Sequence, residues 1–155
     1  MVKNQPMRPL VILIAFFFSF NVFSQEKEKT VRPFLEHIVT KFPNVRDLAL
    51  TPKNDEAIVS AQSFMSDISV LVRVKKVKNE WSNPEVLPFS GRYFDLEPFF
   101  SNDGLTLYFV SNRPLDQTSS EVKDFDIWYV KRTSLDAEWS EPKNKGAPIN
   151  SKMDE

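Results

Sequence analysis

Four carboxylates, Asp116, Glu121, Asp124 and Asp126, fall within eleven residues, and oxygen ligands gathered in one loop are what a calcium-like ion requires. Their spacing is not that of an EF-hand, and solvated charges on a polar loop account for them equally well. His37 is the only histidine and there is no cysteine. A Ser-His-Asp nucleophile would need an exposed serine such as a Gly-x-Ser-x-Gly elbow provides, and the chain has none. One histidine without cysteine also closes the route to a soft-ligand metal site. A glycosidase needs two suitably placed carboxylates; 21 acidic residues supply candidates, but no spacing selects a pair. Trp81 and Trp139 stand in matching Glu-Trp-Ser triplets. An indole face suits a sugar ring, while recurrence at matching places favours packing between repeated units. No residue is therefore assigned as catalytic, cofactor-binding or metal-ligating, and no cofactor is expected.

The elements that would position these side chains repeat. The clearer copy runs from Glu97 through the turn Ser101-Asn102-Asp103-Gly104 and the strand Leu105 to Ser111, then Asp126-Ile127-Trp128-Tyr129-Val130, then Glu138-Trp139-Ser140. Asp-Gly between two apolar runs signals a hairpin, since glycine takes positive φ freely and the aspartate accepts from nearby amides. Leu105, Leu107 and Phe109 alternate with Thr106, Tyr108 and Val110, the period of a strand. About 50 residues upstream lies a fainter copy. Leu50 to Ser60 runs parallel to Phe100 to Val110, Ser69-Val70-Leu71-Val72-Arg73 matches Asp126 to Val130, and Glu80-Trp81-Ser82 matches Glu138 to Ser140. Ahead of both, Phe34, Leu35, Ile38 and Phe42 recur at three- and four-residue spacing, which predicts a short amphipathic helix over 30–41 with Thr30 as its cap and Pro33 in its first turn. An amino-terminal strand is the other reading.

Lys3 and Arg8 precede an apolar run from Leu10 to Phe18, with small residues around Ser24. This is the layout of a secretory signal peptide over 1–24, and Ser19 and Asn21 interrupt it too early for a bilayer span of about 20 residues. The expected mature protein is exported to the periplasm or the medium, without a transmembrane segment. Without Lys3 and Arg8 the balance is 18 basic against 21 acidic residues, a net of -3, which argues against nucleic acid as a partner.

Ser101-Asn102-Asp103-Gly104, the strand Leu107 to Arg113 and Asp126 to Val130 together resemble the WD-40-like β-propeller repeat of exported bacterial proteins, the TolB type being the best known. That turn is usually Ser-Pro-Asp-Gly; here Asn102 replaces the proline, and the first repeat reads Thr51-Pro52-Lys53-Asn54-Asp55 with no glycine. The resemblance covers roughly Val45 to Glu155. It implies an all-β fold of about two four-stranded antiparallel blades from a six- to eight-bladed ring. Residues 25–44 would form an amino-terminal segment, 45–95 a degenerate blade, and 96–155 a second blade with the start of the next. Glu155 stands where Glu97 precedes an innermost strand, so the chain is expected to be the front part of a longer propeller. Propellers host unrelated activities. What the resemblance implies is a non-catalytic exported scaffold that mediates protein–protein interaction, using loops such as Asn112 to Asp124 to bind an envelope protein or, less readily, a glycan. The alternative is a fragment of an exported hydrolase, glycosidase- or sialidase-like or peptidase-associated, whose active site lies outside this chain.

Overall fold

A computed structural model describes residues 31–115 and 122–151. The expected leader at 1–24, the carboxylates Asp116 and Glu121, and Glu155 lie outside them. The described fold is nearly all β, built as two antiparallel sheets. The first contains β1 (Asn44–Leu50), β2 (Glu56–Gln62) and β3 (Ser69–Val77) in that order, with the short β4 (Glu80–Trp81) and β5 (Glu85–Val86) both on the far side of β3. The second runs β6 (Asp95–Phe100), β7 (Thr106–Ser111), β8 (Asp126–Lys131) and β9 (Lys143–Asn144). Of the two readings for the amino-terminal segment, helix or strand, the structure has a helix, but only as α1 (Glu36–Val39). Leu35 takes a left-handed φ of 56° at its start, so no turn is added upstream. Leu35 and Ile38 are buried against Ala57 and Val74 of the first sheet.

The repeat is a repeat of backbone geometry. After β1 the Thr51 hydroxyl accepts the amide of Glu56 at 3.2 Å, and after β6 the Ser101 hydroxyl accepts the amide of Thr106 at 2.9 Å. Asn54, with φ 54°, stands where Gly104 has φ 70°. Asparagine tolerates the left-handed region better than most side chains, so the first turn keeps its shape without glycine. Both β1 and β6 carry a register break, at Arg46/Leu48 and Leu96/Phe99, next to Asp47 and Glu97, each with φ 50°. At the outer strands Ser82 accepts the amide of Lys75 at 3.1 Å and Ser140 that of Lys131 at 3.0 Å. The third strands correct the sequence alignment by one residue. Glu56 pairs with Lys75 and Thr106 with Lys131, so Asp126 corresponds to Val70 rather than to Ser69.

The core lies between the sheets. Ile58, Leu71 and Leu87 of the first meet Leu107, Phe109, Trp128 and Val130 of the second. The first sheet is buried on its other face as well, Val59, Ala61 and Val72 packing with Phe42, Val45 and Val70, which explains why β2 lacks the half-buried alternation of β7. A buried ion pair fastens the two sheets together. Arg132, after β8, reaches Glu56 Oε2 of β2 at 2.7 Å, donates to the carbonyls of Gly104 and Leu135, and lies 4.3 Å from the centre of the Trp139 ring.

Candidate functional site

An antiparallel meander sends alternate connections to opposite ends of its sheet. One end therefore carries the short turns 51–55 and 101–105, and the other carries the connections 63–68, 87–94 and 145–151 and the described parts, 112–115 and 122–125, of the β7–β8 connection. The turns at the first end are closed by their own hydrogen bonds. Ser101 donates to Asp103 at 2.6 Å, a bond that holds the Asp103 carboxyl below its ordinary pKa, helped by the amide of Leu105. Six of the twelve exposed large apolar side chains among the described residues lie at the other end: Phe64, Met65 and Ile68 between β2 and β3, Leu115 and Val122 between β7 and β8, and Ile149 after β9; the rest, Val31, Phe34, Leu48, Val77, Val86 and Phe99, lie elsewhere. Phe64 is 82% exposed and Met65 77%. A hydrogen bond from Ser63 to Asp67 fixes the tight turn that presents them and lowers the Asp67 pKa.

Behind this apolar rim the floor is tied by hydrogen bonds. A cavity of 260 Å³ opens between Ile68, Gly91, Arg92, Tyr93, Asn112 and Val122. The Arg92 guanidinium sits 5.3 Å from the centre of the Tyr93 ring, and it has no ion pair among the described residues. Beneath, Arg113 Nη2 donates to Asp95 Oδ1 at 2.7 Å and Nε donates to Ser111 at 2.9 Å, while its guanidinium lies over Phe109 at 4.8 Å. Ser90 holds the second Asp95 oxygen at 2.6 Å, and Asn112 accepts the amide of Phe94 at 2.9 Å. The loop between β5 and β6 is thus bonded to the base of the β7–β8 loop. A second hollow, of 390 Å³, opens between Leu115, Lys123, Asp126, Asn144, Gly146 and Asn150.

Of the four loop carboxylates, Asp124 and Asp126 are described and both contact the Lys123 ammonium, at 2.8 Å for Asp126. Burial works against that ammonium, but its hydrogen bonds to Asp124 and Asp126 outweigh it and raise its pKa above the ordinary lysine value. A cation of the chain's own therefore occupies this pair. His37 is exposed on α1. Both tryptophans have a face taken: Lys76 lies over Trp81 at 5.7 Å, with Phe34 edge-on at 6.0 Å, and Arg132 lies over Trp139. These are packing contacts, at equivalent places in the two sheets. Phe64, Met65, Arg92 and Tyr93 were not read from the sequence. The available signal was an aromatic–methionine pair inside a turn, where polar residues are the rule.

No family model, curated protein or solved structure matches the chain.

Proposed function

We propose that the two sheets are successive blades of a β-propeller, and that the chain is an exported, non-catalytic binding or scaffold protein of the bacterial envelope which holds a partner protein at its loop end. Support for the blades comes from the matched turns, bulges and outer-strand serines of two face-packed sheets. The binding role rests on one observation, the group of exposed apolar side chains that separate connections bring to one end, from Phe64 and Met65 to Leu115 and Val122. Contiguous exposed apolar patches mark interaction sites on many proteins. A hydrogen-bonded floor under the rim suits protein contact, because groups already held in place lose less freedom on binding.

The test is in-cell photo-crosslinking with the reactive group placed at Met65 in one strain and at Lys53, in the opposite turn, in another. A discrete adduct with an envelope protein from position 65 alone, on a protein whose amino terminus has been cleaved near Ser24, is the expected result. Equal adducts from both positions, or retention in the cytoplasm, would overturn the reading.

A further inference from the structure

Among the described residues three arginines lie over aromatic rings, and two of them are paired with an acid. Arg113 has its guanidinium over Phe109 at 4.8 Å and over Tyr93 at 5.5 Å, and its Nη2 donates to Asp95 at 2.7 Å. Arg132 lies over Trp139 at 4.3 Å and reaches Glu56 at 2.7 Å. Arg92 is the third. It shares the Tyr93 ring with Arg113, 5.3 Å from the ring centre, yet it has no ion pair among the described residues. An aromatic ring takes the face of a guanidinium and leaves the N–H donors at the edge of its plane. That edge is a fork which matches a carboxylate with two parallel hydrogen bonds. In Arg113 and Arg132 the fork meets an acid of the chain, and in Arg92 it does not.

From this we propose that Arg92 is the receiving site for a single carboxylate of the partner protein, a glutamate or aspartate side chain set among apolar residues. The inference rests on the loop end being a protein-binding surface, and it names what the partner brings there. Arg92 stands between two hollows, the cavity of 260 Å³ that holds Ile68 and Val122 and one of 250 Å³ lined by Pro88, Phe89 and Pro142. Two acids flank it, Asp67 in the first hollow and Glu141 in the second. Asp67 accepts the Ser63 hydroxyl within its own turn. Arg113 offers the ligand nothing, since its donors go to Asp95, Ser111 and the carbonyl of Phe89. One guanidinium is thus left between two negative charges. A segment with several carboxylates would be repelled by Asp67 and Glu141, and a neutral segment would cover the fork without pairing it. A lone carboxylate with apolar neighbours meets both conditions, its neighbours falling against Ile68 and Val122 and, on the rim, Phe64 and Met65. The backbone on either side of Arg92 is held. Gly91 has φ 102°, a conformation that L side chains rarely adopt, and the amide of Phe94 is bonded to Asn112 at 2.9 Å.

Two probe peptides test it on the purified chain: acetyl-Leu-Glu-Leu-amide and its neutral isostere acetyl-Leu-Gln-Leu-amide, each titrated while the NMR signals of the Gly91 and Asn112 amides and of the Arg92 side chain are followed. The glutamyl peptide should bind at least about fivefold more tightly than the glutaminyl one. That preference should vanish in Arg92→Gln, persist in part in Arg92→Lys, which keeps the charge but not the fork, and be unchanged in Lys53→Gln in the opposite turn. The urea midpoint of Arg92→Gln should match that of the unaltered chain, since the fork has no acid of its own to lose. Equal affinities for the two peptides, or a preference that survives Arg92→Gln, would overturn the proposal. So would displacement of the glutamyl peptide by inorganic phosphate at a lower concentration than the peptide itself needs, which would make a phosphoryl group the ligand. In cells, Arg92→Glu should cut the photo-crosslinked adduct from position 65 about tenfold or more, because the reversed charge faces the partner's acid. An undiminished adduct in that variant overturns the carboxylate site and leaves the binding role standing. Absence of any adduct from the unaltered chain counts against the binding role instead, and the peptide preference is measured without it.

Discussion

Substituting Arg132 by alanine tests how the two sheets are held together. The guanidinium and Glu56 Oε2 are 2.7 Å apart, and both side chains are almost fully buried. Their attraction at an effective dielectric near 20 is ~6 kcal/mol. Taking two ions out of water costs several kcal/mol each, so the pair is close to neutral for stability as a whole. Removing one partner is different, because it leaves a buried carboxylate with no counter-charge, and such deletions cost about 3–5 kcal/mol. The carbonyls of Gly104 and Leu135 lose a donor as well. Arg132 Nη2 and Glu56 Oε1 have no partner among the described residues, so the two side chains share a single bond, and a loss near ~3 kcal/mol is expected for Arg132→Ala. Urea unfolding followed by tryptophan fluorescence measures it. The double substitution Arg132→Met with Glu56→Leu should recover most of the loss, because hydrophobic replacement of a buried pair is often neutral or stabilising. A loss below ~1 kcal/mol for the single variant, or no recovery in the double, would refute the view that an unpaired buried charge sets the cost.

Trp128→Ala should lower stability by about 3–5 kcal/mol in the same assay, since the indole is buried in the core between the sheets. Gly104→Ala should cost about 1–2 kcal/mol, because its φ is 70° and the added methyl would sit 3.1 Å from a Leu135 methyl carbon, whereas Asn54→Gly at the equivalent turn should change stability by less than about 1 kcal/mol. Asp67 and Asp103 have lowered folded pKa values, so the stability they contribute is present above the ordinary carboxylate pKa of about 4 and is lost as pH falls. The stability gap between the wild type and a variant carrying Asp67→Asn and Asp103→Asn should therefore be widest at neutral pH and narrow on acidification, as followed by unfolding at several pH values.

Much of the fold was legible because it is set by local chemistry. Asn102-Asp103-Gly104 marked one turn, and the matching offset led to Thr51 and Asn54 in the other although neither residue is identical. The third strand of the first sheet was misplaced by one because Val70-Leu71-Val72 is apolar at every position, and a strand covered on both faces offers no alternation to fix its register. The helix fell short of its prediction since the backbone at Leu35 answers to tertiary packing. Trp81 and Trp139 were placed by their repetition, and their cationic neighbours were not, because Lys76 and Arg132 reach them through outer turns of unequal length. The loop end was the least legible part. Its residues come from four separate connections, and what they share is an end of the sheets, which only the strand directions reveal. The pairing of Glu56 with Arg132 spans 76 residues and leaves no mark in either local sequence.

The paired bulges of β1 and β6 bear on a different matter, the safety of an exposed strand edge. Both strands lie at the border of their sheets, and a border strand in general presents amides and carbonyls that a foreign strand could pair with. At the same height in each, a non-glycine residue with φ 50° breaks the ladder. There the amide of Glu97 is taken by the Asp47 carboxylate at 3.2 Å, with Arg46 beside both acids. A strand approaching this border would find its register interrupted midway and charged groups in the gap. The kink that the two repeats share thus guards the flank of each sheet against unwanted β-pairing while leaving the sheet faces free to stack.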